Sequence, residues 1–219
     1  MFARIAGRYD LLNRTLSLGI DQRWRKRALA LAGDVRGKTV VDVCAGTGDL
    51  TALFTRAGAR VVGADFTHEM LQHALPKHPG VPEHMQMVTG DAMYLPVRSS
   101  VADVASVAFG IRNVADRAAG FREMQRVLKP GGKMICLEFT TPDSGLFAWL
   151  YRTYFTQVLP RIGRLISRDN DAYSYLPRTV LAWPKAAELQ RELEQLGYTD
   201  CGHRQLTRGI ACLHWGTAP

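Results

Sequence analysis

The stretch Asp42-Val43-Cys44-Ala45-Gly46-Thr47-Gly48-Asp49 brings two carboxylates and two glycines together. Gly46 and Gly48 let a backbone turn tightly and approach a ligand closely. Asp65, at the end of ARVVGADF, is spaced to take both hydroxyls of a ribose. Asp91, in Gly90-Asp91-Ala92, supplies a carboxylate that can accept from the exocyclic amine of an adenine. FGIRNV, residues 109–114, closes an apolar run with Arg112 and Asn113. A core strand needs neither side chain, whereas a strand end facing a ligand can use both.

Two cofactor classes share this grammar. The dinucleotide fingerprint requires a third glycine where helix and strand pack together, and this chain has Thr51 there. Asp49 stands at the helix start, where a pyrophosphate would meet a like charge. Asp42, Asp65 and Asp91 border three neighbouring strand ends and would surround a cationic ligand with negative charge. These features suit a cofactor with no phosphate and a positive centre, such as S-adenosylmethionine. Any one of the three aspartates taken alone also fits a turn or capping role.

The elements that must position these residues alternate along the chain. A helix is expected from Asp21, as its N-cap, to Gly33. KTVVDV gives a strand over 39–43, DLTALFTRAG a helix closed by Gly58, and ARVVGADF a second strand. Thr67 caps the helix HEMLQHAL, which Pro76 ends. HMQMVTGDA and VADVASVAFG are strands three and four, residues 116–128 a helix, and KPGGK the turn into a fifth strand, MICLEF. A late helix, KAAELQRELEQLG, precedes two strands joined around Arg208-Gly209. Strand–helix alternation implies an α/β, doubly wound, mostly parallel sheet with an antiparallel C-terminal hairpin. Ligands of such sheets bind beyond the carboxyl ends of the strands, at the switch between strands one and four. Two stretches fall outside the alternation: an N-terminal helical segment, 1–32, and an aromatic, basic insertion over 140–184 that reads as a lid over an apolar substrate.

With 219 residues the chain suits one domain, 1–219, burying about 70% of its unfolded surface without a metal or disulfide. Cys44, Cys136, Cys201 and Cys212 form no CxxC pair and read as reduced, packed thiols in a cytosolic protein. His68, His73 and His78 are spaced off any one helix face, so no metal site is expected. No apolar run reaches the ~20 residues of a membrane-spanning helix. Asp10 argues against a transit peptide in the arginine-rich N-terminus. The net charge of +8 points to an anionic partner or to a solvated basic face. Arginines concentrate before residue 28 and again over 152–178.

Several motifs together carry a resemblance. They are YDLLNRTLSLGIDQRWR (9–25), AGTGDL (45–50), GDAMYLP (90–96), FGIRNV (109–114), VLKPGG (127–132), LEFTTP (137–142), VLPRIGRLISRDNDAYSYL (158–176) and LTRGIACLHWG (206–216). The protein resembles the S-adenosylmethionine-dependent class I methyltransferases that C-methylate quinone precursors in the menaquinone and ubiquinone pathways. The resemblance covers nearly the whole sequence and implies a Rossmann-like, seven-stranded sheet. It also implies cofactor contacts at Thr47, Asp65, Asp91 and Ala92. That family often has a serine before the FG pair, where this sequence has Ala108, and methyltransferases in general prefer glycine where it has Cys44.

The expected reaction is methyl transfer from S-adenosylmethionine to a ring carbon of a prenylated quinol, with demethylmenaquinol as the substrate. The benzoquinol precursor of ubiquinone is the alternative substrate. A non-catalytic nucleotide-binding module is the alternative of a different class. Arg112 and Asn113 are the candidate catalytic residues, holding a quinol oxygen directly or through water; for Arg112, pairing with a nearby acid to tie down the loop stands equally open. An isoprenoid tail puts the substrate in a membrane, so a cytoplasmic protein peripheral at the inner face of the cell membrane is expected, docking its basic segments on anionic headgroups. A nucleic-acid partner is not expected: neither an (N/D)PPY-type motif nor a Pro-Cys nucleophile follows strand four. Assembly as a homo-oligomer stays open.

Overall fold

The computed structural model describes residues 19–142 and 177–219, with residues 145, 148, 149 and 153 between them. The N-terminal segment through residue 18 and most of the expected lid over 140–184 lie outside the described residues.

The elements in sequence order are α1 (Ile20–Ala32), β1 (Thr39–Val43), α2 (Asp49–Arg56), β2 (Arg60–Asp65), α3 (His68–Lys77) and β3 (Met85–Thr89). Then come β4 (Ala102–Ala108), α4 (Arg117–Val127), β5 (Leu128–Phe139), α5 (Ala186–Gln195), β6 (Thr199–Leu206) and β7 (Ala211–Thr217). The strands form one seven-stranded sheet in the order β3-β2-β1-β4-β5-β7-β6. The first five pair in parallel, and β7 joins antiparallel to β5 and to β6. The strand order therefore reverses between β1 and β4, which opens a crevice at their carboxyl ends.

Successive side chains of a strand point to opposite faces, and the core divides accordingly. Val40, Val104 and Ile135 pack on one face with Trp24 and Ala28 of α1 and Phe54 of α2. Val41, Ala105 and Met134, their immediate neighbours, pack on the other with Phe121 and Met124 of α4 and Leu189 and Leu193 of α5. Strands buried on both sides read as near-continuous apolar runs, which is why β1 and β4 lack polar alternation.

Three boundaries differ from expectation. Asp21 is not the N-cap of α1. Gly19, at φ 73°, flanks the helix, and Asp21 lies buried in the first turn, where it complements the helix dipole and pairs with Arg25 at 3.7 Å. Pro76 sits inside the last turn of α3, which stops one residue later; the proline removes one amide donor without blocking that final residue. β5 starts at Leu128, before the KPGG turn. Leu128 already pairs with Ala102, and the register then slips between Ala102 and Val104, so the turn is a bulge within the strand. Asp116, expected as the first residue of this helix, caps α4, accepting from the Ala119 amide at 2.9 Å.

The tips of β1 and β4 approach each other closely at the switch point. A Cβ added to Gly110 would stand 2.2 Å from Cys44 Cβ, so glycine is required at 110 for space. Cys44 itself lies at φ 54°, in the left-handed region that favours glycine. Gly110→Ala is therefore expected to destabilise the protein by roughly 2 kcal/mol or more. Adding Cys44→Gly, which removes the opposing Cβ, should restore most of that loss. Urea denaturation of the single and double variants checks the pair; equal stability of both would contradict the steric account.

Candidate active site

A cavity of about 340 Å³ opens at the carboxyl ends of β1, β2 and β4. Its walls are the segments 44–47, 65–67, 90–93, 108–110 and 113–115, with Arg25, Asp49 and Met70. Of the residues singled out in the sequence, Gly46, Thr47, Asp65, Asp91, Ala92 and Asn113 meet around this space. Asp42, Gly48 and Arg112 are not among the residues that line it.

Asp65 closes β2 and binds the loop that leaves β1. Its Oδ2 accepts from the Gly46 amide and its Oδ1 from the Thr67 amide, both at 2.8 Å. Burial raises its carboxyl pKa, opposed by those amides. An ionised carboxylate offers about four acceptor positions, so lone pairs remain for ligand hydroxyls. Asp91 is held the same way, Oδ1 accepting from the Met93 amide at 2.8 Å.

Thr47 is pinned from α3. Lys77 Nζ donates to Thr47 Oγ1 at 2.8 Å and pairs with Asp49 at 2.6 Å, while His78 Nε2 donates to the Thr47 carbonyl at 3.2 Å. Burial pushes the Asp49 carboxyl up, but His78, Arg25 and Lys77 outweigh it and hold the group well below the usual carboxylate range. Asp49 is thus an anion at the start of α2, where a dinucleotide would need its phosphate. Gly48, at φ 80°, packs inward: a Cβ there would stand 2.7 Å from Met85.

Asp42 lies behind the cavity wall. It is 1% exposed, its Oδ2 accepting from Thr51 Oγ1 at 2.6 Å and its Oδ1 from Ser106 Oγ at 2.8 Å. Thr51, the residue that breaks the dinucleotide pattern, therefore has a specific use as a hydroxyl donor to a buried carboxylate.

Arg112 and Asn113 divide. Asn113 borders the cavity, whereas the Arg112 side chain is 6% exposed and pairs with the fully buried Glu138 at 2.7 Å. Its Nη1 also donates to the Phe109 carbonyl. Of the two roles open to Arg112, the ion pair that ties down the loop is the one formed in this structure. Removing one partner of such a buried pair costs about 3–5 kcal/mol.

Three residues of this region escaped the sequence reading. Glu138, next to the last residue of β5 and within LEFTTP, anchors Arg112, but an acid in an apolar strand gives no partner away. Phe109, which borders the cavity, adopts φ 60°, a strain of about 1–3 kcal/mol. Arg25 reaches the cavity from α1; the one signal was its place in the motif IDQRWR. Burial pushes the Cys44 thiol up, so this cavity-lining cysteine is no ready nucleophile.

Asp42 carries a pH signature. Burial pushes its carboxyl up to about 6, against the hydrogen bonds from Thr51 and Ser106. The folded protein then holds a proton that the unfolded polypeptide releases near the ordinary value of 3.8. This contribution to stability is fully present below about pH 4 and is lost as pH rises through about 6. Asp42→Asn should flatten the stability difference between pH 4 and 6.5, measured by denaturant titration. An unchanged pH slope in the variant would contradict it.

The comparisons with known proteins agree with this geometry. The model of the ubiE/COQ5 methyltransferase family matches residues 1–218. The sequence is 46% identical over 221 residues to the ubiquinone/menaquinone biosynthesis C-methyltransferase UbiE of Syntrophotalea carbinolica, covering 99% of this protein and 92% of that one. It is 42% identical over 221 residues to the demethylmenaquinone methyltransferase of Thermus thermophilus, covering 100% of both. Among solved structures, a SAM-dependent methyltransferase from Aquifex aeolicus is similar with a TM-score of 0.63 at 17% identity, covering 89% of each protein. Haemonchus contortus phosphoethanolamine N-methyltransferase 2, in complex with S-adenosyl-L-methionine, is similar with a TM-score of 0.67 at 14% identity, covering 89% of this protein and 52% of that one. The two structures show the fold; the family match and the full-length identities show more, and the protein belongs to the ubiE/COQ5 methyltransferase family.

Proposed function

We propose that this protein methylates a ring carbon of a prenylated quinol, demethylmenaquinol in the first instance, with Asn113 at the acceptor. The observation that carries this reading is that the acidic strand tips and Asn113 border one cavity. S-adenosylmethionine supplies an electrophilic methyl group for the ring carbon of the reduced quinone. The cavity suits that donor, since Asp65 and Asp91 face it with negative charge and the Gly46 amide already serves Asp65 rather than a phosphate.

In this reading Asp65 holds the ribose hydroxyls, Asp91 and Ala92 the adenine, and Gly46 and Thr47 the loop beneath the donor. Asp42 and Gly48 act from behind by shaping that loop. Asn113 holds a quinol oxygen, directly or through an ordered water that takes the departing ring proton. Arg112 keeps the turn over Ile111–Asn113 in place through Glu138, so it positions Asn113. Proximity and exclusion of water supply most of the acceleration.

The relatives named demethylmenaquinone methyltransferase, 40–42% identical across the whole of this protein, favour the naphthoquinol over the benzoquinol. Turnover with both quinols under reducing conditions tests the choice, with product read by mass spectrometry. Preferential methylation of demethylmenaquinol is expected; methylation of the benzoquinol alone, or of neither, overturns it. Asn113→Ala should lower kcat about 100-fold while leaving the Kd for S-adenosylmethionine within about twofold. Equal loss of both would make Asn113 a structural residue.

The same proposal places the protein at an anionic membrane surface. Its support is the net charge of +8 and the lipid nature of the substrate. Among the described residues, no helix is long and apolar enough to cross a membrane. Co-sedimentation with vesicles containing phosphatidylglycerol should fall steeply with added salt, and should be weak with neutral vesicles. Binding indifferent to salt and lipid charge would remove this part.

A further inference from the structure

Two guanidinium groups bracket a pair of aromatic rings beside the cavity. Arg25 lies over Phe109, 5.2 Å from its ring centroid, and Arg112 over Phe139 at 5.4 Å. The rings of Phe109 and Phe139 are 4.5 Å apart, and Trp24 abuts both at 6.0 Å. The two cations differ in what they do with their donors. Arg112 gives its Nη1 to Glu138 and to the Phe109 carbonyl, its Nε, like that of Arg25, being buried without a hydrogen-bond partner among the described residues; it does not line the cavity. Arg25 borders the cavity and is the one basic side chain among the described residues that line it.

Arg25 is only 9% exposed. Its ion pair with Asp21, at 3.7 Å, is longer than a hydrogen bond, and its Nε is buried without a hydrogen-bond partner among the described residues. Leaving a buried donor unsatisfied is unfavourable, more so for a charged group. Cation–π contact with Phe109 consumes none of its five donors. A buried fork of N–H groups at a cavity wall is built for a planar anion, and a carboxylate matches it with two parallel hydrogen bonds.

We propose that Arg25 binds the carboxylate of the methionyl end of S-adenosylmethionine. The inference rests on the cavity being the donor site. Besides its sulfonium, that donor carries a carboxylate, which Asp65 and Asp91 can only repel. Arg25 supplies the one positive side chain among the described residues of that wall, and its guanidinium lies over the Phe109 ring. A donor gripped at both ends has its sulfonium fixed between them, which sets the line of methyl transfer.

Calorimetric binding of S-adenosylmethionine and of decarboxylated S-adenosylmethionine tests this directly. The wild-type protein should favour the carboxylate form by about 10- to 100-fold, the range of a buried charge-assisted hydrogen bond. Arg25→Met should erase that preference while binding the decarboxylated compound with near wild-type affinity, which also reports an intact site. Arg25→Lys should retain part of the preference. Equal weakening toward both compounds in Arg25→Met makes the residue structural and overturns the inference. Unchanged binding of both with lowered turnover assigns Arg25 to the acceptor and overturns it as well. Should Arg25→Met bind neither compound, Arg25→Lys decides: a kept preference supports the inference and equal affinities overturn it. Failure of the wild-type protein to bind either compound removes the donor-site reading and the inference with it.

Discussion

The hydrogen bond from the Gly46 amide to Asp65 ties the tip of β1 to the tip of β2, and the site depends on it. The same device recurs around the crevice. Asp91 accepts from the Met93 amide, Asp65 accepts again from Thr67, and Glu138 accepts from the Phe139 amide and from Arg112. In each case a carboxylate at or just past the end of a strand takes a backbone amide nearby. Such charge-assisted bonds are roughly twice as strong as neutral ones. They give the loops their shape before any ligand enters, so binding does not have to order them.

Behind this front rank lies a second group of buried polar contacts. Asp42 sits out of reach of the cavity, yet it joins α2 to β4 through Thr51 and Ser106. Lys77 and His78 join α3 to the glycine loop through Thr47 and Asp49. The loop is therefore clamped from below, from α2 and from α3 together. That clamp also explains the choice of cofactor. A pyrophosphate needs free amides and a neutral helix start, whereas here the Gly46 amide is taken and Asp49 occupies the start of α2.

Much of this was legible in the residue order. The extent of β1, the closing hairpin, the switch point and the acidic strand tips follow from apolar runs, turn residues and carboxylates at fixed offsets. The errors have local causes. The KPGG turn looked like the start of β5 because two glycines mask pairing that begins earlier, at Leu128. Asp21 looked like a helix cap because Gly19, which carries no side-chain signal, is the residue whose backbone turns. For Arg112 the two roles stayed open in the sequence because its partner, Glu138, lies 26 residues on.

By itself, the sequence determined what period and offset encode: a doubly wound sheet, the place where its strand order turns, the absence of a dinucleotide fingerprint and the acids that would meet a cationic donor. Only the tertiary structure decided which polar residues face the cavity and which support it from behind. Asp42 and Arg112 do not line the cavity and are held in buried contacts, and Arg25, from a helix before the first strand, came to the wall. The physical reason is that facing is set by pairing across long separations. Where a buried charge finds its partner depends on which strand ends the sheet brings side by side, and residue order alone does not contain that distance.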